Sequence, residues 1–182
     1  VLRNLRGRRE VSSSWPPRTV KALTQSIESV AEWVRKPPDK STDDERIWIV
    51  RFFVVRTCGY LEQVVYESVR AYVDAKAGGP LRAFSQSWVS RSRNPSPENM
   101  LELVGRFGGQ FEEELRNLLD DDDQRLYREI SLLVDRRHKI AHGLNEGLTG
   151  TKAVALYECA LEVAEWFLDV FNPNNAPNKP KK

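Results

Sequence analysis

The chain has 182 residues, with 28 Lys and Arg against 26 Asp and Glu, a formal net charge of +2. Its apolar fraction of 40% and mean hydropathy of −0.54 fit one folded domain with a real core, which excludes a wholly disordered chain. So balanced a charge also excludes a histone-like polyanion binder, so any nucleic-acid contact must come from a local patch or cleft. Two cysteines, Cys58 and Cys159, are too few for a disulfide framework or a four-cysteine zinc site. Both sit in apolar runs and read as buried thiols of a reducing, cytoplasmic setting. No apolar run approaches the ~20 residues of a membrane span, and no signal-peptide core follows Val1. Val1 in place of a methionine raises the expectation of a fragment or a processed product.

Residues 1–17 carry Arg3, Arg6, Arg8 and Arg9 and then Trp15-Pro16-Pro17, and read as a flexible basic arm. Residues 173–182, rich in proline, asparagine and lysine, read as a solvated basic tail. Between them, residues 18–172 form the expected folded domain. Val20, Leu23, Ile27, Val30, Ala31 and Val34 recur at helical spacing over Thr19 to Arg35, and Pro37-Pro38 ends that run. A long helix is expected from Asp43 to Ala77, capped by Ser41, Thr42 or Asp43 and closed by Gly78-Gly79-Pro80. Its stripe runs from Val50 through Val54, Cys58, Leu61 and Val65 to Tyr72. Ile49, Phe52, Phe53 and Val64 widen it, which marks this helix as central to the core.

Leu81 to Val89 is a shorter helical candidate. Ser96-Pro97-Glu98 supplies a cap, a first-turn proline and an acid for a helix through Phe107, stopped by Gly108-Gly109. Phe111 to Leu119 follows as another short helix. Asp120 to Asp123 read as cap and dipole compensation for the next helix, whose face is Leu126, Tyr127, Ile130, Leu133 and Val134. The acidic run lacks the glycine and spacing of a calcium loop. That helix runs to Gly143, and after the loop Leu144 to Gly150 a last one is capped by Thr149 or Thr151. No segment alternates as a strand does. The expected fold is all-α, an antiparallel bundle of about five to seven helices.

Both histidines of the chain fall in one window, Asp135-Arg136-Arg137-His138-Lys139-Ile140-Ala141-His142-Gly143. A structural account is available: cations complement the negative end of a helix, and Gly143 supplies a left-handed stop. A zinc pair is disfavoured, because Lys139 stands where a zinc protease has its glutamate and no third histidine exists. No metal site is expected. The spacing Arg137, His138, three further residues, His142, on the penultimate long helix of an all-α domain, resembles the Arg-x4-His motif of the HEPN superfamily. The motif has a polar residue after the arginine, commonly Asn, Asp or His, and here it is His138. The helices from about Ile47 to Trp166 are similar to the branch named RiboL-PSP-HEPN.

The resemblance implies a metal-independent endoribonuclease, often a toxin or defence effector, that works as a homodimer and needs no cofactor. Partners implied are RNA, a second copy of the chain and a cognate antitoxin, with no membrane. The chemistry agrees: RNA carries its own nucleophile, the 2′-OH, so cleavage needs a proton shuttle and a cation for the phosphorane charge. Histidine suits the first task and the arginine fork the second. His142 is the candidate base or acid, Arg137 the phosphate clamp, and His138 an RNA-orienting group or second proton relay. Five positions separate Arg137 from His142, about 140° in projection and about 7.5 Å in rise, so two copies facing across a two-fold axis would build a fuller site. Arg136, Lys139 and Asn145 are candidate RNA-binding residues. The tryptophans Trp33, Trp48, Trp88 and Trp166 read as core or dimer-interface residues in preference to base-stacking platforms. The rival reading is a HEPN-like helical module that binds RNA or a partner protein without catalysis.

Overall fold

The computed structural model describes residues 15–89, 94–144 and 147–175. Six helices are found among them and no strand: α1 (Arg18–Arg35), α2 (Asp43–Lys76), α3 (Gly79–Val89), α4 (Pro97–Gly105), α5 (Gly109–Ala141) and α6 (Gly150–Val170). Their ends are set by local chemistry. Thr42 opens α2 with a reciprocal capping box: its hydroxyl accepts from the Glu45 backbone N–H at 3.2 Å, and the Glu45 carboxylate accepts from the Thr42 N–H at 2.7 Å. The same backbone donor holds the Glu45 carboxyl below its ordinary pKa. Ser96 caps α4 through the Asn99 N–H, with Pro97 in the first turn, and Thr149 caps α6 through the Lys152 N–H.

The core is built on α2, against which α1, α5 and α6 pack. Both cysteines are buried, as expected. Small residues on α6, Ala153, Ala160 and Ala164, let it approach α2 closely, and Phe53 meets Tyr157 with ring centroids 5.2 Å apart. Tyr157 donates to Glu28 of α1, which fastens α1 to α6. One pole of the bundle holds an aromatic cluster: Phe171 lies 5.2 Å from Phe107, 5.5 Å from Tyr72 and 5.8 Å from Phe111. Burying each such ring contributes roughly 1.5–3 kcal/mol. Trp15, placed in the arm by the sequence, donates its indole N–H to the Leu168 carbonyl at this same pole. The other pole is closed by Gly150, where a Cβ would stand 3.4 Å from Val34 Cγ1 and 3.8 Å from Val50 Cγ2. Helix α6 therefore begins beside the first half of α2 and ends beside Tyr72, while α5 runs back along it, tied by Arg125–Glu162 (2.8 Å) and Lys152–Glu129 (2.6 Å).

Three expectations change. Helix α4 stops at Gly105, short of Phe107, because Gly108 takes φ +134° as the cap of α5. The acidic run does separate two helical parts of α5, as the sequence indicated, but as a turn and not as a cap: Asp121 is extended (ψ 155°) and Asp122, Asp123 and Gln124 are left-handed, with φ of 50°, 56° and 60°. Asp122 and Asp123 pair with Arg125 (3.2 Å) and Arg128 (3.0 Å). The run thus marks the junction through a turn with ion pairs, since Asp tolerates the left-handed region. Finally, Phe52 does not enter the core and is 50% exposed; Trp48, read as a core or dimer-interface residue, is 65% exposed, which removes the core alternative alone. No helix among the described residues is long and apolar enough to cross a membrane.

Candidate functional site

Helix α5 carries Leu126, Ile130 and Leu133 on its buried face. Arg137 is the next residue in that stripe, so the helix delivers its guanidinium to the edge of the core. It is half-buried and close enough to Cys58 of α2 to act on it electrostatically. Burial pushes the Cys58 thiol up to about 11, against the opposing pull of the Arg137 charge. His138 begins the adjacent face, is exposed, and lines a surface cleft of about 330 Å3 together with Arg137. Asn94, Ser96, Glu98, Ser131 and Asp135 also line this cleft, which lies between the α4 N-terminus and the C-terminal part of α5.

His142 does not line the cleft but touches a residue that does. Its ring centroid is 4.3 Å from that of His138, at an interplanar angle of 62°. The pair follows from four-residue spacing on one helix face. His142 itself is the C-cap of α5 (φ −91°, ψ 10°), and Gly143 takes the left-handed conformation at φ +74°. The Leu144 N–H donates to the Lys139 carbonyl (3.0 Å) and the Gly143 N–H to the Ile140 carbonyl (3.0 Å). These two bonds make a Schellman cap, which fixes the backbone from which the His142 side chain leaves.

The remaining candidates divide. Lys139 is half-buried and pairs with Asp135 at 3.1 Å, one turn back on α5. Arg136 is half-buried on another side of α5 and does not line the cleft. Asn145 lies outside the described residues. The cleft residues from α4 were read in the sequence only as a helix start. What brings them to the site is the packing of α4 on α5 through the buried Met100, Leu101 and Val104; a hydrogen bond from the Tyr127 hydroxyl to Glu98 adds to it, lowering the Glu98 carboxyl pKa and raising that of Tyr127. Among the described residues no group of three or more His, Cys, Asp or Glu is arranged to hold a metal ion.

Six helices around one core, with no strand among the described residues, are consistent with the helical bundle of a HEPN domain. The model of the family RiboL-PSP-HEPN matches residues 21–172, and the chain belongs to that family. No curated protein and no solved structure matches the chain.

Proposed function

We propose that the protein is a cytoplasmic endoribonuclease that cuts single-stranded RNA without a metal ion, as a toxin or defence effector held in check by a cognate antitoxin. The observation that carries this reading is the contact of His138 and His142 beside a cleft that Arg137 also lines. One imidazole takes the proton of the 2′-OH, which attacks the adjacent phosphorus. The other returns a proton to the departing 5′ oxygen, and the products are a 2′,3′-cyclic phosphate and a 5′-OH. Arg137 neutralises the charge that develops on the phosphorane oxygens. A second copy of the chain across a two-fold axis would supply a second histidine pair to the same phosphate. Arg136, Lys139 and Asn145 would position the flanking backbone.

The test is incubation of the pure protein with mixed RNAs in excess EDTA. Cleavage with cyclic phosphate ends is expected; His142→Ala should reduce it ~10²–10⁴-fold and Arg137→Ala ~10²–10³-fold. Activity that disappears in EDTA and returns with magnesium would refute the reading. One observation favours a second reading, a non-catalytic HEPN module that binds RNA or a partner. Arg137 continues the buried stripe of α5 and acts on Cys58. If Arg137→Ala unfolds the domain and RNA is bound but never cut, that module is the answer.

A further inference from the structure

Helix α2 exposes two aromatic rings one turn apart, Trp48 and Phe52, at the pole where α5 ends and α6 begins. Resting on the ribonuclease reading, we infer that Trp48 and Phe52 form a base-stacking platform that holds unpaired nucleobases of the RNA strand on their way to the cleft. The Arg51 guanidinium lies over the Trp48 ring, 5.1 Å from its centroid. That contact fixes one face of the ring and places a cation beside it, while Trp48 remains 65% exposed. An aromatic face with an arginine against it suits a flat π system attached to a phosphate.

Position supports the assignment. Gly150, eight residues after His142, meets Val50 of α2, and Arg137 acts on Cys58. Trp48 and Phe52 lie on the bare side of α2, about 160° around the helix from Val50, and about 15 Å and about 9 Å along it from the level of Cys58, so a strand joining them to the cleft passes around α2 over several linked nucleotides. A second copy of the chain seated on these rings alone would be held weakly. Two aromatic rings expose at most about 150–250 Å2 each; at the exposures found, together with the 47% exposed Ile47, they offer roughly 300 Å2. A stable dimer needs ~800 Å2 from each partner.

The experiment measures binding of a labelled 2′-O-methyl oligoadenylate, which cannot be cut through its 2′ oxygen, by fluorescence anisotropy. Wild type is compared with Trp48→Ala, Trp48→Leu and Trp48→Phe, with sedimentation and thermal unfolding on the same samples. Stacking predicts that Trp48→Ala and Trp48→Leu weaken binding about 5- to 150-fold, that Trp48→Phe stays within a few-fold of wild type, and that oligomeric state and melting do not change. Equal binding by all four proteins overturns the platform, as does wild type that fails to bind at micromolar concentration. A Trp48→Ala protein that loses its dimer overturns it too, with the second copy as occupant. The two readings separate cleanly. Trp48-dependent binding in a protein that cuts no RNA keeps the platform and removes the nuclease, whereas full cleavage with Trp48-independent binding does the reverse.

Discussion

Replacing Gly143 by alanine tests the link between a backbone cap and the candidate chemistry. Gly143 sits at φ +74°, and nothing lies within 4 Å of where its Cβ would be. The substitution therefore meets no clash, and its whole cost is the left-handed conformation, roughly 1–2 kcal/mol. For a chain of this size that is a fall in Tm of about 2–8 °C. Gly143→Asn should recover much of it, because asparagine tolerates this region. Activity should fall by more than the stability loss explains, because a shifted cap re-aims His142 and parts it from His138. The assay is thermal unfolding and cleavage of one unstructured RNA on the same preparations, below the Tm of every variant. If Gly143→Ala melts with wild type and cleaves normally, the Schellman cap does not set the histidine in solution.

Two further outcomes follow from the structure. In the Tyr127–Glu98 pair, the tyrosine hydroxyl lowers the Glu98 pKa, so that contribution exists above the unfolded carboxyl pKa, about 4.3, and is lost as pH falls through the folded value. Tyr127 is raised by the same bond, so its contribution exists below about pH 10 and is lost as pH rises further. The Tm difference between wild type and Tyr127→Phe should thus be flat from about pH 5 to 9 and shrink at both ends; a difference that grows toward acid pH contradicts the bond. Gln124→Gly should raise stability by about 0.5–1 kcal/mol, the left-handed strain relieved less the entropy of glycine. A loss of about 1 kcal/mol, the usual cost of glycine in a helix, would mean that α5 is continuous through this point.

Helix ends were the most legible part of the sequence because their chemistry is local. Thr42 with Glu45, Ser96 with Pro97, Thr149 and Gly143 each state their role within three residues. The acidic run was ambiguous for the same reason, since one set of Asp side chains serves an N-cap or a left-handed turn equally well. Phe52 was misassigned because α2 buries residues over a wide arc, Val50, Phe53, Val54, Thr57 and Cys58 among them, so its apolar pattern hardly marks the bare side. The motif window was visible as the only two histidines four residues apart. Its cleft was not, because Ser96 and Glu98 are some forty residues away in sequence and arrive only once α4 packs its apolar face against α5.

The hydrogen bond from Trp15 to Leu168 also fixes where the described chain begins and ends in space. Both points lie at the aromatic pole, the full length of α6, about 30 Å, from the turn that carries Gly143 and Gly150. A fluorophore, tether or folded cargo joined at either point would hang from the far side of the bundle. The histidine end is left open to a long polymer. For single-molecule work, that makes attachment at Trp15 or Asn175 compatible with an open approach of a polymer to the histidine end.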